Sequence, residues 1–125
     1  MSSVDVLSAF ELNKLLVNKS AEVDEALKSY REANQEWVLA DRTARIARAQ
    51  AYLLSKGKTV AEREAFVEIE CDQETFAEHR LDALRNGAKE ALRARLSQLS
   101  AQQSMASALR EELRFSRTDN YSGQP

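Results

Sequence analysis

Ten residues between Val23 and Leu54 follow one another at alternating steps of three and four without a miss: Val23, Ala26, Tyr30, Ala33, Trp37, Ala40, Ala44, Ala47, Ala51 and Leu54. This is a heptad seam, and it constrains the chain to a long helix with one stripe turned toward a partner. Alanine at most of these positions removes bulk, so a partner helix can approach closely, although each alanine supplies little apolar area. The rest of the composition agrees with helix. Only three glycines and one proline occur in 125 residues, and the proline is the last residue, so the turn chemistry of sandwiches, barrels and Rossmann units is missing. Aromatic residues make up 6 % and charged residues 30 %, so the chain buries a thin seam unless copies share their seams with one another. A homo-oligomer is the expectation.

Ser8 and Glu11 have the spacing of a capping box, and Leu12, Leu15 and Leu16 follow on one face. They predict a short amphipathic helix at 8–18, the core of a separate N-terminal element at 1–20. Ser55-Lys56-Gly57-Lys58 interrupts the heptads, with Gly57 suited to the left-handed position that ends a helix, and Thr59 with Glu62 forms a second capping box. The chain is expected to turn back here. Val60, Phe66, Val67 and Ile69 among glutamates predict a helix over 60–70, although Phe66 to Cys71 alternates well enough for an isolated strand. Asp72 is placed to cap a third helix. Its apolar positions Phe76, Leu81, Leu84, Ala88, Leu92, Leu96, Leu99, Ala106, Leu109 and Leu113 keep helical spacing for about forty residues, a rod of roughly 60 Å. From Ser116 the chain is polar and capless, and 116–125 is expected to be a disordered tail. The predicted class is all-α: a helical hairpin over 21–115 with coiled-coil-like seams, assembling into an oligomeric bundle or ring. Val23, Tyr30, Trp37, Leu54, Leu92, Leu96 and Leu99 are its candidate oligomerisation residues.

Total charge is near neutral, with 18 basic against 20 acidic residues, so any affinity for nucleic acid must come from local charge. Arg42, Arg45, Arg48, Lys56 and Lys58 lie in a stretch, 42–58, without a single acid, a local charge of +5. Residues 62–78 hold Glu62, Glu64, Glu68, Glu70, Asp72, Glu74 and Glu78 against Arg63 alone, a local charge of −6. Two readings are open. The stretches pair with each other within or between subunits, or the three arginines and two lysines form a track for a phosphate backbone. A further basic row, Arg85, Lys89 and Arg93, reads as a solvated face. Tyr30 and Trp37 lie on the seam and read as core, whereas Tyr52 lies outside it beside the basic stretch, where an aromatic ring could stack on an unpaired base.

Catalytic and metal chemistry find no footing. His79 and Cys71 are the single histidine and cysteine, too few for a tetrahedral metal site or a nucleophile with its base. Gly57, Gly87 and Gly123 are too far apart for a phosphate loop. No enzyme, metal or cofactor is expected. One cysteine, no run of apolar residues long enough to span a membrane and no signal-peptide pattern predict a cytoplasmic protein without membrane partners.

Four local matches, in order, resemble the UvsY-type recombination mediators of tailed bacteriophages. Tyr30 to Asn34 reads Tyr-x-x-Ala-Asn with Trp37 nearby. A basic helix ends in Arg48-Ala49-Gln50-Ala51-Tyr52 before a Ser/Gly/Lys turn, an acidic connection carries Val67 shortly before Asp72, and Asn86-Gly87-Ala88-Lys89-Glu90-Ala91-Leu92 is similar to a segment of that family's C-terminal helix. The interval from Asp72 to Gly87 is about one heptad shorter than in that family, and its paired tyrosines before the turn are reduced to Tyr52-Leu53. The resemblance implies a non-enzymatic helical protein that forms ring-like homo-oligomers, binds single-stranded DNA, and helps a RecA-like recombinase displace single-strand-binding protein, in the host cytoplasm if phage-encoded. It also implies DNA contacts at Arg48 and, more loosely, Arg45. A structural coiled-coil adaptor, such as a phage assembly factor or chaperone, is the alternative.

Overall fold

A computed structural model describes residues 8–122, and its backbone forms three helices: α1 (Ala9–Leu54), α2 (Val60–Glu70) and α3 (Asp72–Ser122). No strand occurs among the described residues, so the Phe66–Cys71 alternation does not make one. The predicted capping box at the start of α1 is present. Ser8 Oγ accepts from the Glu11 amide at 3.1 Å, and Glu11 Oε2 accepts from the Ser8 amide at 3.4 Å.

Two predicted boundaries disappear. The helix begun at Ala9 runs unbroken for 46 residues, because no Gly or Pro separates the N-terminal segment from the heptads. α3 likewise continues to Ser122, so residues 116–122 of the expected disordered tail are helical, while 123–125 lie outside the described residues.

The turn between α1 and α2 is built differently from its sequence reading. No glycine among the described residues has a positive φ, so Gly57 is not a left-handed cap. It supplies space: a Cβ there would lie 2.9 Å from Glu62 Cβ and 3.1 Å from the Arg63 amide nitrogen. Thr59 caps α2 as predicted, its Oγ1 accepting from the Glu62 amide at 3.1 Å, while the Glu62 carboxylate reaches one residue further and accepts from the Lys58 amide at 2.8 Å. α2 and α3 are separated by Cys71 alone. The Cys71 amide donates to Val67 O at 2.9 Å, closing the α2 ladder, and Cys71 O accepts from the Thr75 amide at 3.0 Å, opening that of α3, so the two ladders meet at Cys71 without a bond across it, and Asp72 is the first residue of α3.

The chain divides into two units, one pairing α1 up to Ala26 with α3 from Leu92, the other comprising Leu27–Ala91. In the first, Leu12 and Ala106 are buried, and Phe10, Leu16, Leu109 and Leu113 border an apolar groove of about 350 Å³ above them. Lys19 Nζ joins Glu22 Oε2 at 2.6 Å and donates to Gln98 Oε1 at 3.0 Å, tying α1 to α3; the Lys19 hydrogen bond holds the Glu22 carboxyl below its usual range. Val23, Leu92 and Leu99 are half-buried here and Leu96 is exposed.

In the second unit the heptad seam packs against α2 and the start of α3. Ala44, Ala51 and Cys71 are buried, Tyr30, Trp37, Ala40 and Ala47 half-buried, and Leu54, at the end of the seam, is exposed. Trp37 is the largest of these side chains, and polar groups surround it. Its Nε1–H donates to Glu78 Oε1 at 2.8 Å, the Arg85 guanidinium lies 3.8 Å from its ring centroid, and Arg85 Nη2 is 2.6 Å from Asp82 Oδ1. Arg85 is therefore part of the seam and not of a solvated face. The seam on α3 is partly polar: Glu78, Asp82, Arg85 and Gln102 are half-buried, while Phe76, Leu84, Leu96 and Leu113 are exposed. Of the residues predicted for contacts between subunits, Val23, Tyr30, Trp37, Leu92 and Leu99 are half-buried within the chain, and Leu54 and Leu96 are exposed.

Candidate nucleic-acid interface

The seam fixes where the basic stretch points. With Ala44, Ala47 and Ala51 turned inward, Arg42 and Arg45 fall on exposed positions, whereas Arg48 falls at the seam's edge and is half-buried. Arg48 Nη1 donates to Thr75 Oγ1 at 3.4 Å. Its side chain borders two open grooves: one of about 390 Å³ with Tyr52, Glu64 and Glu68, the other of about 490 Å³ with Glu68, Asp72 and His79. A phosphate entering either groove would meet carboxylates as well as the guanidinium, which disfavours it. Arg45 stays largely exposed although its Nη2 is 2.7 Å from Asp41 Oδ2 one turn earlier. Lys56 and Lys58 are exposed in the turn. Tyr52 is just over a third exposed, and the Arg63 guanidinium lies 5.8 Å from its ring centroid. The Arg63 Nε–H also donates to Gly57 O at 2.9 Å, so the single base of the acidic segment braces the turn.

Of the six residues predicted for the interface, the structure brings Arg42, Arg45, Lys56 and Lys58 to open surface and sets Arg48 and Tyr52 beside α2. Among the described residues, no ion pair within 4.0 Å joins the basic stretch to the acids of 62–78. The charge pairing that would neutralise both stretches is not made inside the chain. Glu78 serves Trp37 and lies 3.4 Å from His79 Nε2, Glu62 accepts from the Lys58 amide, Glu74 is half-buried with one carboxylate oxygen buried and without a hydrogen-bond partner, and Glu64, Glu68, Glu70 and Asp72 are exposed.

No protein-family model matches this chain, and no curated protein or solved structure is significantly similar to it.

The sequence reading missed one set of residues on the same face. Leu39, Ile46 and Leu53 are exposed by 66 %, 46 % and 84 %, and they recur every seven residues on the side of α1 turned away from Ala44 and Ala51. The signal was available in their spacing, but the longer alanine seam drew the assignment of the partner face. Cys71 and His79 form no metal cluster with neighbouring acids, and no group of three or more His, Cys, Asp or Glu among the described residues is placed to hold an ion. The buried Cys71 thiol is pushed up from its ordinary pKa by burial and by the nearby Glu74 and Glu70 carboxylates, the reverse of what a nucleophile needs. No described helix is long and apolar enough to cross a membrane.

Proposed function

We propose that this protein is a non-enzymatic, oligomeric binder of single-stranded DNA that acts as a recombination mediator, helping a RecA-like recombinase replace single-strand-binding protein. The observation that carries the reading is the exposed basic face of α1 and its turn. Arg42, Arg45, Lys56 and Lys58 are exposed; Arg45 pairs with Asp41 of its own helix, and no carboxylate of the acidic segment forms a side-chain ion pair with any of the four. The order of motifs resembling UvsY-type mediators supports the same reading. A few cationic contacts on one subunit bind a strand weakly; repeated around a ring-like homo-oligomer, they act on one strand at high effective concentration. Contacts made through phosphates are indifferent to base sequence and steeply sensitive to salt.

Fluorescence anisotropy with a labelled oligonucleotide across a salt series tests this. Binding at low salt is expected, and replacing Arg42 and Arg45 by Ala should flatten the slope of log affinity against log salt by about 0.7 per lost contact, about 1.4 for the pair. Arg48→Ala should leave the slope unchanged, because Arg48 faces Thr75 and the acidic grooves. Absence of binding at low salt refutes the proposal. The stripe Leu39, Ile46 and Leu53 gives specific support to the second reading, a structural coiled-coil adaptor. Under that reading the double arginine variant assembles normally and nucleic acid leaves the oligomer unaffected.

A further inference from the structure

Two outward faces of the Leu27–Ala91 unit carry matched patterns. On α1 the positions 39, 42, 46, 49 and 53 alternate steps of three and four, a second heptad seam on the solvent side, filled by Leu39, Arg42, Ile46, Ala49 and Leu53. Arg45 lies beside it, so this apolar stripe has a basic border. On the opposite arm the inward positions are Arg63, Val67 and Cys71, and the side turned away from them bears Ile69, 80 % exposed, and Phe76, 66 % exposed, seven residues apart. They share one stripe because the inward positions continue across the break as Val67, Cys71, Glu74 and Glu78, at steps of four, three and four, which keeps α2 and α3 nearly in phase. Glu70 and Asp72 are exposed beside it at the α2–α3 junction, giving this part of the second stripe an acidic border, while Arg80 is exposed one turn beyond Phe76.

We propose that these two faces are the two halves of one interface between copies of this chain. The Leu39–Ile46–Leu53 stripe of one copy receives the Ile69–Phe76 stripe of the next, with Arg42 and Arg45 against Glu70 and Asp72. Both stripes face solvent on the same unit, so neither is covered by the other within the chain. Pairing like with like about a two-fold axis would set arginines against arginines or acids against acids, which costs energy. Unlike faces match in both spacing and charge, and such a heterologous contact repeats from copy to copy until it closes into a ring or continues as a filament. A guanidinium has five donors, so an arginine that meets a neighbour's carboxylate on one edge keeps another edge for phosphate. The inference rests on the homo-oligomer of the proposed function, and not on its binding of DNA.

The test is light scattering coupled to size exclusion at micromolar concentration without nucleic acid, with circular dichroism to verify helix content. The wild-type chain is expected well above the 14.1 kDa of one subunit. Leu39→Ser/Ile46→Ser/Leu53→Ser should fall to the subunit mass with unchanged helicity, since all three side chains are exposed. Arg42→Glu/Arg45→Glu should dissociate alone, as should Glu70→Lys/Asp72→Lys, because each sets like charges across the contact. An equimolar mixture of these two charge variants should reassemble, since each contact then joins an acidic α1 face to a basic α2–α3 face or the native opposite. A wild-type oligomer that keeps its mass in the serine variant, or charge variants that stay apart when mixed, overturns this interface while leaving an oligomeric DNA binder standing. A wild-type chain at the subunit mass overturns both the interface and the oligomer, whatever its affinity for DNA.

Discussion

A methyl group at Gly57 has nowhere to go. The side chain and backbone it would strike belong to the first turn of α2, which is held by Thr59, by the Lys58 amide and by the Arg63 bond to Gly57 O, so the neighbours have little freedom to yield. Gly57→Ala should therefore destabilise the turn by about 1–3 kcal/mol, the cost of a local overpacking. Chemical denaturation read by circular dichroism checks it. A variant as stable as the wild type would mean that the turn relaxes freely. The sequence marked Gly57 as a helix breaker but assigned the wrong reason, because a glycine's need for space depends on which later residue folds over it. Arg85 was misread for a similar cause. A basic row on a helix resembles a solvated face until a tryptophan 48 residues earlier in the chain is known to lie under one member of it.

For the helices, the three-and-four spacing from Val23 to Ala51 was enough to orient α1, since alanine at the close-contact positions leaves one low-volume side for a neighbouring helix. The opposing side on α3 was less legible. Its seam mixes Leu81 and Ala88 with Glu78, Asp82 and Arg85, and polar residues at inward positions carry no hydrophobic period to read. Their role follows from Trp37, whose indole N–H bonds Glu78 and whose ring carries Arg85. Trp37→Phe keeps most of the apolar area and removes the donor, so it should cost about 1–2 kcal/mol through the half-buried Glu78 carboxylate left unmatched. Trp37→Ala should cost more, though less than the roughly 3–5 kcal/mol of a fully buried tryptophan. Thermal melts of the two variants, with Glu78→Gln in a double-mutant cycle, measure the coupling. Additive effects of Trp37→Phe and Glu78→Gln would show that the bond contributes nothing to stability.

For the whole molecule, the buried apolar residues among those described are Leu12, Ala44, Ala51, Cys71 and Ala106, and all but Leu12 are small. The composition had already indicated so thin a core, since few aromatics and many charges leave little to bury. What the sequence could not assign was which apolar residues would be left over. Leu39, Ile46 and Leu53 were hidden by the better alanine seam, and Ile69 and Phe76 by the break between predicted helices at Asp72. Placing the charges met the same limit. The counts of the two charged stretches were plain, but whether they neutralise each other depended on the turn of each helix about its own axis.

Two hydrogen-bond ladders that meet at Cys71 without crossing it let α2 and α3 open on separate time scales. A segment of 11 residues is too short to hold its amides closed by itself, and α2 has no backbone hydrogen bond to α3 beyond those that meet at Cys71 and joins α1 through a glycine-containing turn. Deuterium should therefore enter the amides of 64–70 several-fold faster than those of 75–82, the shorter helix opening as a unit of its own. Mass-spectrometric exchange on the intact chain resolves this. Exchange in 64–70 as slow as in 75–82 would show that the two helices open as one cooperative block, held by side-chain packing and not by backbone bonds across Cys71.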